Sequence, residues 1–158
     1  MGRAMTADFD LDKFLPYLLN QTAEAASLGF QAIYREGHGM TRTQWRVMAN
    51  LGKFGAMTAR DICASAHIEK TKVSRAVVAL EKAGMLARVA SDTDRRAENL
   101  SLTGAGKAVF AELGQKAAAY DAGLRARLGV AQATELDALL RRLMALTPSV
   151  LISKLLLL

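Results

Sequence analysis

The sequence predicts a mainly α chain with one small β-hairpin: a helix-turn-helix and a hairpin wing set between long N- and C-terminal helices. Three observations carry that fold class. Apolar residues recur at helical spacing over most of the 158 residues. Two amphipathic stretches, residues 58–66 and 69–84, are joined by a tight turn at Ala66, His67 and Ile68. The polar run Ser91-Asp92-Thr93-Asp94-Arg95-Arg96 is framed by strand candidates around Leu86 and Val89 on one side and Leu100 and Leu102 on the other.

In chain order, residues 9–34 read as a helix with Phe14, Leu15, Leu18, Leu19, Thr22, Ala25, Ala26, Phe30 and Ile33 in a broad apolar stripe. Pro16 fits its first turn, where a missing N–H costs little, and Gly37 and Gly39 end it. Thr41 or Thr43 caps the next helix, which runs to about Gly52 with Trp45, Val47, Met48 and Leu51 inward, and Phe54-Gly55 turns the chain. Thr58 caps the short helix, with Asp61 at the capping-box position and Ile62 and Cys63 inward.

The longer helix of the pair turns Val73, Ala76, Val77, Leu80 and Gly84 to one side, and Gly84 closes it at C′. After the hairpin, Thr103 caps a helix running to about Leu128, on which Val109, Leu113, Ala117, Tyr120 and Leu124 recur. A last helix over residues 131–146 has Leu136, Leu139, Leu140, Leu143 and Met144 as its face. Pro148 breaks it, and the apolar tail from Val150 to Leu158 is too short to span a bilayer.

The side of residues 69–84 pointing away from the apolar stripe carries Lys70, Thr71, Lys72, Ser74, Arg75, Val78 and Lys82. Lys and Arg can donate to guanine or phosphate, Ser and Thr to either, and an outward Val can touch a thymine methyl. On an isolated helix the same face would read as a solvated charge run. Beside a short helix and a tight turn, it becomes the side of a helix-turn-helix that can enter a major groove. A basic hairpin next to it can place an arginine in the minor groove.

Net charge is +6, and it is unevenly spread. Residues 1–41 hold three Lys/Arg against five Asp/Glu, 42–104 hold eleven against six, and 105–158 hold seven against four. A basic middle is the electrostatic footprint of nucleic-acid binding, although a pI near 9.8 alone would also suit an anionic membrane surface. One cysteine excludes an internal disulfide framework, and no secretory signal or membrane span is read, so a cytoplasmic protein is expected. His38 and His67 have no partners at metal-ligand or catalytic spacing. No phosphate loop, nucleophile elbow or paired carboxylates are found, so neither an enzyme nor a cofactor is expected.

Leu80-Glu81-Lys82-Ala83-Gly84, then Asp94-Arg95-Arg96, then Leu100-Ser101-Leu102-Thr103 and Gly106 together resemble the wing region of MarR-type winged helix-turn-helix regulators. Gln44-Trp45-Arg46-Val47 resembles the helix by which that family enters its winged domain. The resemblance implies one domain over residues 1–158, with a winged helix-turn-helix at about 42–104 and dimerisation helices at about 9–36 and 104–146.

It further implies a homodimeric, sequence-specific repressor of a palindromic double-stranded operator, released by a small aromatic or anionic effector. Arg96 would probe the minor groove, Asp94 would hold an arginine of the reading surface, and Arg95 would add a cation. Some members of that family sense oxidants, typically through a cysteine in the N-terminal helix, and residues 1–41 contain none. Tyr34, His38, Trp45 and Arg46 lie where the first helix meets the winged domain and are candidate effector contacts, with Arg46 holding a carboxylate; Tyr34 and Trp45 read equally well as core and Arg46 as surface. The other functional class open to the sequence is a winged-helix module that binds protein or RNA through its basic face.

Overall fold

The computed structural model describes residues 9–90 and 98–146. Two compact units divide at Lys116 and Ala117, and each is described by itself. In the first unit a single 3₁₀ turn, Leu11–Lys13, precedes α1 (Leu15–His38), α2 (Arg42–Phe54), β1 (Met57–Thr58), α3 (Ala59–Ala66), α4 (Lys70–Lys82), β2 (Leu86–Ala90), β3 (Glu98–Leu102) and the start of α5 (Gly104–Leu128). The second holds the rest of α5 and α6 (Val130–Ala145). The mainly α chain with a small antiparallel sheet is therefore as the sequence predicts.

Local chemistry sets the helix ends. Thr41, not Thr43, caps α2: its hydroxyl accepts from the Gln44 N–H while the Gln44 side chain accepts from the Thr41 N–H. Thr58 and Asp61 make the same reciprocal pair at α3. Removing such a cap costs about 1 kcal/mol. Thr58→Ala is accordingly expected to lower unfolding free energy by about that amount in urea titration, with the fold retained.

Some boundaries differ from the sequence expectation. α1 begins at Leu15 rather than near residue 9, because Asp10 caps a separate short turn and Pro16 starts the helix proper. Gly37 stays helical, and Gly39, left-handed at φ 61°, ends α1. α2 extends to Phe54 before Gly55 turns. Of the broad α1 stripe only Phe30 is buried, with Tyr34 beside it; Phe14, Leu15 and Leu18 are exposed.

β1 is the element the sequence did not disclose. Two residues are too few to show alternation, and they form a strand because Met57 and Thr58 pair with Leu100 and Asn99 of β3. The sheet order is β1-β3-β2, with Leu86 opposite Leu102 and Ala90 opposite Glu98. Leu86, Leu100 and Leu102 are buried, and with Val47, Met48, Leu51, Ile62, Val73, Val77 and Leu80 they make the core under the helix pair.

In the second unit, Gly129 at φ 98° turns α5 into α6. Arg125 bridges Asp121 and Asp137 at 2.7 Å each, which ties the two helices. Ala133 is buried, whereas Leu136, Leu139, Leu140 and Met144 are exposed. The apolar tail after residue 146 lies outside the described residues.

Candidate nucleic-acid interface

α4 is held by its inner face and by both ends. Val73, Ala76, Val77 and Leu80 are buried against α2 and α3, as their spacing predicts. Between α3 and α4 the chain turns at His67, which is left-handed at φ 50°, and the Ile68 N–H donates to the Cys63 carbonyl. Cys63 is half-buried rather than fully inward, since it occupies the flank of the α3 apolar face and Ile62 its centre.

At the other end, Met85 N–H donates to the Leu80 carbonyl (2.9 Å) and Gly84 N–H to that of Glu81 (2.9 Å), the paired bonds of a Schellman closure. Gly84, at φ 70°, supplies the left-handed residue that this closure needs, and it is exposed instead of joining the inward stripe. Thr103 then stitches the closure to α5: its hydroxyl donates to the Gly84 carbonyl (2.6 Å) and accepts from Gly106 N–H (3.1 Å).

The outer face of α4 presents Lys70, Thr71, Lys72, Ser74, Arg75, Val78 and Lys82, all exposed. Val78 keeps 41% of its surface in contact with solvent, an apolar side chain in the middle of a polar face. Among the described residues the only ion pairs on this helix are Lys72 with Glu69, at 4.0 Å, and Glu81 with Arg88. Lys70, Arg75 and Lys82 thus face outward with no carboxylate partner among the described residues. No acidic residue occupies the first turn and Glu69 makes no capping bond, so two lysines add to the positive pole of the helix. Such a concentration of cations is unfavourable within the protein and favourable toward phosphate.

Asp94, Arg95 and Arg96 lie outside the described residues, and the strands that lead to them are β2 and β3. The sequence reading missed Arg88. Its guanidinium sits between Glu81 of α4 and Glu98 of β3. Hairpin register brings Ala90 opposite Glu98, and that register was the signal available for finding the group.

Also missed was the tie between α2 and the end of α3. Arg46 donates to the Ala66 carbonyl, and Ser65 donates to Asn50 at 2.8 Å. Both contacts hold the last turn of α3, which sets where α4 begins.

The four candidate effector contacts separate. Tyr34 is 1% exposed and stacks on Trp45 with centroids 6.2 Å apart, in a cluster with Phe30 and Phe110. Burial pushes the Tyr34 phenol pKa up, partly offset by the Arg42 charge. His38 Nε2 lies 3.2 Å from a Glu112 carboxylate oxygen without an aligned hydrogen bond. Lys116 first, and His38 less, hold that carboxyl below its usual range. Arg46 faces α3 rather than this cluster. Among the described residues no group of His, Cys, Asp and Glu could hold a metal, and no helix is long and apolar enough to cross a membrane.

Comparison with known proteins follows the same outline. Residues 38–97 match the family model described as MarR family. The chain is 30% identical over 98 residues to the HTH-type transcriptional regulator FarR of Neisseria gonorrhoeae, a match that covers 62% of this chain and 66% of that protein. It is 29% identical over 96 residues to the homoprotocatechuate degradative operon repressor of Escherichia coli, covering 61% and 64%. The matched stretch thus spans a little under two thirds of these curated relatives. Among solved structures, NadR in complex with 4-hydroxyphenylacetate superposes with a TM-score of 0.73 at 26% identity, over 83% of this chain and 95% of that one.

Proposed function

This chain belongs to the MarR family of winged-helix transcriptional regulators, and from that premise we propose that it is a homodimeric repressor that reads a palindromic DNA operator with α4. The observation that carries the reading is the outer face of α4, where Lys70, Arg75 and Lys82, exposed and without carboxylate partners among the described residues, flank the exposed Val78. Arg75 and the first-turn residues Lys70, Thr71 and Lys72 take base edges and phosphates, Ser74 and Val78 the base edges beside them, and Lys82 a flanking phosphate. Arg96 is assigned to the minor groove beside each half-site, with Asp94 orienting a neighbouring arginine and Arg95 adding charge.

Two-fold assembly is supported by the apolar residues left exposed on α1 and α6, including Leu15, Leu18, Leu28, Leu136 and Leu139. Half-sites are then about ten base pairs apart, or a multiple of that. Sedimentation at micromolar concentration is expected to show a dimer, and a monomer would remove the palindromic operator from the proposal.

A ligand of the aromatic-acid class is the proposed effector, because NadR is solved with 4-hydroxyphenylacetate and another relative is named for homoprotocatechuate degradation. Tyr34, His38 and Trp45 are the contacts assigned to it. Arg46 joins them only if its bond to Ala66 is released.

Selection of duplexes from a random pool tests the function. The expected result is one palindromic sequence bound about 10³-fold or more above random DNA. Salt-sensitive binding without preference would instead favour a winged-helix module for a protein or RNA partner.

A further inference from the structure

We propose that Arg88 is a positioning residue that fixes the direction of the hairpin relative to α4, so that the wing and the reading helix meet DNA as one rigid surface. This rests on the DNA-reading function proposed above. Arg88 Nε lies 3.2 Å from both carboxylate oxygens of Glu81, and Arg88 Nη1 lies 2.7 Å from Glu98 Oε2. One planar fork therefore joins the last turn of α4, the middle of β2 and the first residue of β3. A guanidinium suits this role because its donors are fixed in a plane, which a lysine ammonium does not reproduce.

Arg88 sits where the hairpin leaves the body. Leu86 and Leu102 are opposite each other and buried. Arg88 is opposite the buried Leu100, and two residues earlier in β3 Glu98 is exposed. At this point the fork, and not leucine packing, ties both strands to α4. Its three groups are each about two-fifths or more exposed, so its contribution to overall stability is small. Its effect is on direction, because one guanidinium holds β2 and β3 to the last turn of α4.

Charge separates this role from direct DNA contact. The group has one cation and two carboxylates, so it repels phosphate on balance, and a phosphate-binding Arg88 would have to leave both partners. If Arg88 merely bound phosphate, neutralising Glu81 would tighten binding. If Arg88 positions the wing, neutralising Glu81 weakens binding although a negative charge has been removed.

The experiment uses the full chain, the selected operator duplex and the variants Arg88→Gln, Arg88→Lys and Glu81→Gln. Operator affinity is expected to fall about tenfold in Arg88→Gln, and less but in the same direction in Glu81→Gln. Lysine is expected to restore only part of the loss. The log–log salt slope is expected to stay at the wild-type value, and the variant that combines Arg88→Gln with Glu81→Gln to bind no worse than Arg88→Gln alone. Hydrogen exchange over residues 86–102 of the free protein is expected to rise in Arg88→Gln while α4 stays protected.

Tighter binding by Glu81→Gln, or a slope reduced by about 0.9 for each Arg88 lost, would make Arg88 a phosphate contact and overturn the proposal. Unchanged affinity and exchange in all variants would overturn it as well. If wild-type protein selects no operator, the DNA-reading function fails, and the exchange measurement still decides whether Arg88 holds the hairpin. Should Arg88→Gln fail to fold, Glu81→Gln and Arg88→Lys carry the same comparison.

Discussion

Arg75→Ala is expected to cost roughly 1–3 kcal/mol at one base pair of each half-site, which is about a 5- to 150-fold loss of discrimination there. The side chain stands on the exposed face of α4 two residues beyond the buried Val73, with no carboxylate partner among the described residues to restrain it. Its truncation leaves the inner face untouched, so thermal stability is expected to stay within about 0.5 kcal/mol of wild type. The measurement is binding of the variant to the operator and to its single-base variants. A loss concentrated at one pair identifies a base contact. A loss spread evenly, with a shallower salt slope, would show that Arg75 touches only phosphate.

Gly106→Ala is expected to destabilise the protein by about 3 kcal/mol, at the upper end of the range for overpacking. A Cβ at this position would collide with the Met85 carbonyl oxygen and stand 2.9 Å from its carbon. The obstacle is backbone, and it cannot shift freely: Met85 N–H is bonded to Leu80, and its carbonyl accepts from Thr103 N–H. Gly114 lies in the same helix with nothing within 4 Å of an added Cβ. There the same substitution is expected to stabilise by about 1 kcal/mol through helix propensity. Urea unfolding of the two variants therefore predicts opposite signs from one chemical change. Equal effects would mean that α5 moves away from Met85 at little cost.

The sequence disclosed best what depends on short-range chemistry. Thr58 with Asp61 announced α3 because a capping box needs only two residues three apart. The two faces of α4 followed from helical periodicity, since Val73, Val77 and Leu80 are buried and Arg75 and Lys82 are exposed. Longer-range pairing was hidden. β1 exists only through Leu100 and Asn99, more than forty positions along the chain. Arg46 looked like a free cation near a ligand cleft, and only the fold brings the Ala66 carbonyl to it. The wide stripe on α1 overstated burial, because in one chain most of its apolar residues meet solvent, with Phe30 and Tyr34 the buried pair.

The aromatic cluster gives the protein an optical property of its own. Trp45 is the only tryptophan in the sequence, and its indole sits 5.5 Å from Phe30, 6.2 Å from Tyr34 and 6.4 Å from Phe110. All red-edge excited emission therefore originates at one indole, and the stacked phenol of Tyr34 lies well inside the range of resonance energy transfer to it. Because the three neighbours come from α1 and α5 while the emitter belongs to α2, the wavelength, lifetime and anisotropy of that single fluorophore register any change in how these helices are seated, without a dye or an introduced label.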